Sequence, residues 1–173
     1  EYVKACLLAG KSVCTSNKEL VAEKGAELVK IASEKNVNFL FEASVGGGIP
    51  VLRPMSQCLT ANEILEITGI LNGTTNYILT KMIEDNLSFE TALSNAQKLG
   101  YAEKDPTADI EGFDACRKIC ILASLGFGKH VYPDQVKTEG ITNITLDDVE
   151  YADGFGAVIK LIGHAKKIDD GKI

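Results

Sequence analysis

Apolar positions in the first forty residues follow two alternating patterns. Val3, Leu7 and Leu8 recur at helical spacing over residues 1–9, and residues 11–15 then read as a short strand. The order repeats. Residues 19–35 predict a long helix with Leu20, Leu28, Val29, Ile31 and Ala32 as its apolar members, and residues 37–42 predict a second strand. Helix, strand, helix and strand joined by short links indicate a parallel, doubly wound sheet. The Gly-x-Gly-x-x-Gly turn that opens a dinucleotide-binding unit is missing from the sequence. The first half of such a sheet is therefore expected upstream of residue 1.

Beyond residue 45 the pattern changes. Gly46-Gly-Gly-Ile-Pro-Val leads into a short helix ending near Gln57, and Ile64, Leu65, Ile67 and Ile70 mark a strand over residues 62–71. A helix follows over residues 75–84, capped by Thr74 or Thr75. Ser88 caps a further helix carrying Phe89, Ala92, Leu93, Ala96 and Leu99, which Gly100 stops. Residues 114–125 are apolar almost all round and predict a buried helix. Residues 138–144 predict a strand and 146–153 a short helix. Strict alternation over residues 157–168 predicts a strand ending in the hairpin signal Asp169-Asp-Gly-Lys172. The partner strand is expected beyond Ile173.

Composition narrows the function classes. The 173 residues suit one ordinary domain or a domain with a piece of another. A net charge of −6 without a lysine–arginine run argues against nucleic acid as partner. No apolar run approaches a membrane span, and no signal peptide opens the chain. The five cysteines are odd in number and show no Cys-x-x-Cys, which predicts free thiols in a reducing cytoplasm.

The chemistry concentrates between the last two long helices. Glu103, Asp105, Asp109 and Glu111 lie in a loop shaped by Pro106 and Gly112, and the following helix begins with Asp114 and Lys118 four residues apart on one face. Acidic groups at the mouth of a buried helix that carries a lysine suit a small, polar, cationic substrate. A merely solvated acidic loop is the plainer reading of the same residues. The succession Ala96, Gly100-Tyr101, Asp105-Pro106, Asp109-Ile110, Gly112, Asp114 and Lys118 resembles the signature of the homoserine dehydrogenases, with each fixed position filled. The resemblance extends to Thr15-Ser16-Asn17-Lys18, to Phe41 through Pro50, and to Gly69 through Thr80.

That resemblance implies an α+β substrate domain, a sheet backed by helices, preceded by the α/β tail of a Rossmann-type nucleotide-binding domain. Residues 1–45 would be the remnant of the dinucleotide-binding domain. Residues 46–173 would be the catalytic and dimerisation domain, cut at its C-terminal hairpin. It implies an oxidoreductase interconverting L-homoserine and L-aspartate 4-semialdehyde with NAD or NADP, in threonine and methionine biosynthesis, acting as a cytoplasmic homodimer. The fragment alone is expected to be inactive.

By the same resemblance Lys118, Lys18 and Asp114 would be catalytic, and Glu103, Asp109, Tyr101, Gly73 and Thr74 would bind substrate. Thr15, Asn17 and Lys18 would meet the cofactor. Glu42 with the carbonyls of Val45, Gly47 and Ile49 would hold a monovalent cation, sodium, for which oxygen-only ligands are suited. A glycine-rich loop serving close packing explains the same turn. The alternatives are a non-catalytic substrate-binding or oligomerisation fragment, and the substrate domain of a related aldehyde dehydrogenase.

Overall fold

The computed structural model describes residues 1–168 and residue 173. In chain order it contains α1 (Tyr2–Leu8), β1 (Val13–Cys14), α2 (Lys18–Glu34), β2 (Phe39–Leu40), α3 (Leu52–Gln57), β3 (Glu66–Gly69), α4 (Gly73–Asp85), α5 (Phe89–Lys98), α6 (Thr107–Ile110), α7 (Phe113–Phe127), α8 (Leu146–Gly154) and β4 (Gly163–Lys166). The helices gather into two compact units. The first comprises Glu1–Ile67, Arg117–Val136 and the described residues from Ala165 on; the second comprises Thr68–Cys116 and Lys137–His164.

In the first unit β1 and β2 pair in parallel, Val13 with Phe39 and Cys14 with Leu40, as the helix–strand alternation predicts. The strands are shorter than the apolar runs suggest. Glu42, read as the end of the second strand, instead opens a single 3₁₀ turn, Glu42–Ser44. Asn17 caps α2 by accepting from the Leu20 N–H (3.0 Å). Val21, Ala22, Gly25, Leu28, Ile31 and Ala32 form its buried stripe, while Val29, expected inside, stands exposed. Each large aliphatic side chain buried here contributes about 1.5–3 kcal/mol.

The second unit is built on α4 and α5. Ile78, Leu79 and Met82 of α4 pack with Ala92 and Ala96 of α5, joined by Ala102 and Ile141. The two alanines lie four residues apart and present a small face, so the helices can approach closely. Asn86 ends α4 in the left-handed conformation and Ser88 opens α5 by accepting from Thr91, which makes the turn between them short.

Three sequence expectations are corrected here. The cap of α4 is Asn72, not Thr74 or Thr75: its side-chain oxygen accepts from the Thr75 N–H at 2.8 Å. Residues 138–144 form no strand. Gly140 lies so close to α6 that a Cβ there would meet the Ile110 carbonyl oxygen at 2.2 Å, and the Ile141 N–H donates to that same carbonyl. Along residues 157–168 only β4 forms a strand; it pairs with β3, and beyond it the Lys167 N–H donates to the Leu65 carbonyl at 2.8 Å. Among the described residues the strands form two small two-stranded sheets set among helices, an α/β arrangement. The hairpin signal at residues 169–172 lies outside the described residues.

Helix α8 carries a reciprocal cap. Asp148 accepts from the Thr145 N–H and hydroxyl, while Thr145 accepts from the Asp148 N–H. The Thr145 hydroxyl, and then its N–H, hold the Asp148 carboxyl below its usual value. A lowered native value stabilises the fold above the unfolded-state pKa near ~3.9, and that contribution is lost as pH falls through the native value. Asp148→Ala should therefore lower Tm at neutral pH, with the difference from wild type closing in acid. A Tm difference constant from pH 7 into acid would contradict this coupling.

Candidate functional site

Asn72 is the centre of the arrangement in the second unit. It is only 5% exposed, and the buried Asp114 beside it only 3%. Its amide nitrogen donates to Asp109 Oδ1 at 2.7 Å and to Asp114 Oδ2 at 2.9 Å. Its oxygen accepts from the Thr75 N–H at 2.8 Å and from the Thr75 hydroxyl at 3.0 Å. All four hydrogen-bonding positions of one amide are used. Two carboxylates from different helices, α6 and α7, are thereby fixed against one neutral side chain.

The predicted loop is partly helical, since α6 lifts Asp109 out of the connection. Asp105 is used structurally. It accepts from the Thr107 hydroxyl (2.6 Å) and N–H (3.2 Å), and that hydroxyl is the main cause holding its carboxyl below the usual range. Thr74 donates its hydroxyl to the Tyr101 carbonyl at 2.8 Å, and the Tyr77 and Tyr101 rings meet at 4.9 Å. Gln97 donates to the carbonyls of Glu103 and Lys104 (3.1 and 3.4 Å), which ties residues 101–104 to α5 and leaves the Glu103 side chain exposed. Gly73, in the first turn of α4, is exposed. The second unit thus brings together Asp109 and Asp114 through Asn72, and Thr74 with Tyr101. Asn72 escaped the sequence reading because an asparagine before a helix signals a cap and no more.

Lys18, Lys118, Thr15, Asn17 and the Glu42 turn belong to the first unit. Helix α7 runs from the second unit into the first, with Asp114 in one and Lys118 in the other. Arg117 reaches Glu19 at 3.4 Å, so the step of α7 beside Lys118 is linked to the first turn of α2 beside Lys18. Thr15 accepts from the Asn17 N–H at 3.1 Å and Asn17 caps α2. The hydroxyl and amide oxygen proposed for a cofactor therefore have structural duties. The amide nitrogen of Asn17 and the ammonium of Lys18 are donors, the type that suits anionic or acceptor groups of a ligand.

Glu42 is committed as well. Its carboxylate accepts from the N–H groups of Val51 (2.7 Å), Leu52 (3.0 Å) and Arg53 (2.7 Å) at the start of α3. Backbone hydrogen bonds within the turn fall on the carbonyls of Phe41, Glu42 and Gly46, rather than on those of Val45, Gly47 and Ile49. Carbonyl oxygens are the ligand type that suits a hard monovalent cation, which would have to share the carboxylate with the three N–H donors. A separate apolar pocket of about 350 Å³ in this unit is lined by Val21, Phe41, Ile121 and His130 among others, and contains none of the candidate site residues.

A sequence profile described as homoserine dehydrogenase matches residues 50–172. The chain belongs to the homoserine dehydrogenase family. It is 47% identical to the Bacillus subtilis homoserine dehydrogenase over all of its own length and 40% of that protein's. With the Synechocystis enzyme it shares 50% identity over 90% of its length and 36% of the relative's. The crystal structure of a homoserine dehydrogenase from Thiobacillus denitrificans superposes with a TM-score of 0.94 at 45% identity, covering 97% of this chain and 39% of that one. A hyperthermophilic archaeal homoserine dehydrogenase in complex with NADPH gives a TM-score of 0.82 at 30% identity, covering 95% of this chain and 48% of that one. The chain spans about 40% of the length of the curated relatives it matches.

Proposed function

We propose that this chain is the substrate-side portion of an NAD(P)-dependent homoserine dehydrogenase, interconverting L-homoserine and L-aspartate 4-semialdehyde in the route from aspartate to threonine and methionine. The observation that carries the reading is the pair of carboxylates held by Asn72. Acceptor-only groups fixed in this way suit the substrate's ammonium, which offers donors and a full charge. Glu103, exposed on a tethered backbone, adds a third acidic side chain to that binding role, and Tyr101, Thr74 and Gly73 complete the pocket.

The nicotinamide cofactor, when bound, accepts or donates the hydride. The chain's own task is the hydroxyl proton, which oxidation of homoserine releases and reduction of the semialdehyde requires. Lys118 holds that proton at the substrate oxygen, with Asp114 as the carboxylate on the same face of α7. Lys18 is the second candidate, on the first turn of α2, where it also meets the cofactor with Thr15 and Asn17. The NADPH bound by the archaeal relative supports NADP as the cofactor. Sodium would lie against Glu42 and the carbonyls of Val45, Gly47 and Ile49. Residues 1–45 belong, in this reading, to the nucleotide-binding domain and 46–173 to the catalytic and dimerisation domain.

Cytoplasmic residence accords with five free cysteines. Among the described residues no helix is long and apolar enough to cross a membrane. Homoserine-dependent reduction of NADP or NAD by the full-length protein carrying this sequence tests the proposal. Oxidation of homoserine is expected, faster as pH rises because the reaction releases a proton. Absence of turnover with both cofactors, in either direction, would sink it.

A further inference from the structure

We propose that Asn72 is a positioning residue, which sets the mutual orientation of the Asp109 and Asp114 carboxylates so that substrate meets one fixed pair of acceptors; this rests on the function proposed above. A helix cap alone does not account for the residue. Asparagine, aspartate and serine cap helices about equally well. Serine at this position would keep the bond to the Thr75 N–H but could not donate to two carboxylates at once. Aspartate would keep the cap and place a third negative group against the other two. Only an amide both caps α4 and donates twice, and here both donors are used, at 2.7 and 2.9 Å.

The geometry also explains why the two acids come from different helices. Asp109 rides on α6, a single turn with no buried residue of its own. Asp114 is anchored at the buried start of α7. Without the Asn72 bridge, Asp109 would keep the partial exposure of α6 and many rotamers, and substrate binding would have to order it. The half-exposed acid thus acquires its orientation from the buried one through a neutral intermediary. The substrate's ammonium then meets acceptors already in place.

The experiment uses Asn72→Ser, Asn72→Asp and the double variant Asn72→Asp/Asp109→Asn in the full-length protein. Asn72→Ser should raise the KM for homoserine about 10- to 100-fold, the scale of one or two charge-assisted hydrogen bonds, with a smaller fall in kcat. Its Tm should fall less than that of Asn72→Asp, because the cap is kept and the carboxylates lose a neutral donor without gaining a like charge. Asn72→Asp should lower Tm through like-charge crowding. The double variant should recover part of the lost Tm, since an amide at 109 can donate to the carboxylate at 72 while Asp114 still faces that carboxylate, without recovering KM. A wild-type KM in Asn72→Ser would overturn the proposal, as would a Tm of the double variant no better than that of Asn72→Asp. Wild-type protein inactive on homoserine, but showing the Tm pattern, would support the bridging geometry and overturn the enzymatic reading alone.

Discussion

Lys118→Ala is expected to lower kcat for homoserine oxidation by ~10²-fold or more in the full-length protein, with a smaller change in KM. The magnitude is that of a general acid–base group removed from the reacting oxygen. Lys118 is half-buried, and its helix is held by the packed side chains of Ile119, Cys120, Ile121 and Leu122. In the proposed role such support would hold the ammonium in place, and alanine would leave the hydroxyl proton without a carrier. Asp114→Asn should cost less in kcat, because an amide oxygen still accepts from Asn72, and the charge it loses from the acceptor pair should show in the KM for homoserine instead. Steady-state rates for Lys118→Ala and Lys18→Ala decide the assignment. Near-normal kcat in the first together with abolished turnover in the second would give the proton to Lys18.

Gly140→Ala is expected to destabilise the protein by about 3 kcal/mol, a large effect for one methyl group. The added Cβ would lie 2.2 Å from the Ile110 carbonyl oxygen and 2.5 Å from the Glu111 Cα. Both obstacles are backbone, so no side-chain rotation relieves them. The segment around Gly140 must then move away from α6 and break the hydrogen bond from Ile141 to Ile110. Since α6 carries Asp109, homoserine binding should weaken along with Tm. Chemical denaturation and the homoserine KM of the same variant measure both effects, and an unchanged midpoint would contradict the close approach.

Much of this molecule is legible in the sequence where one physical rule acts alone. Ala92 and Ala96 fall on the inner face of α5 because helical period and burial agree, and α7 is buried because apolar residues surround it. The parallel pairing of β1 and β2 follows from helices between short strands. Expectations failed where a contact distant in sequence overrode a local pattern. Residues 138–144 read as a strand, but Gly140 packs against the backbone of α6 instead of pairing. Leu99 sits at helical spacing yet is exposed, because α5 ends at Lys98.

The site shows the same division. Asp109 and Asp114 stand out by charge and spacing, and the family signature singles them out. Their link through Asn72 joins residues 37 and 42 positions apart and has no local signal. Glu42 likewise stands as a cation ligand only through the family resemblance. Its three bonds to the start of α3 are visible only once the turn has closed.

The most direct measurement compares L-homoserine with 4-hydroxybutyrate, which has the same hydroxyl and carboxylate but no amine. A site organised around two fixed carboxylates leaves them without their cationic partner when the amine is missing. The full-length protein should therefore prefer homoserine by ~10²-fold or more in kcat/KM, and Asp109→Asn should erase most of that preference. Equal kcat/KM for the two alcohols in the wild-type protein would contradict the account.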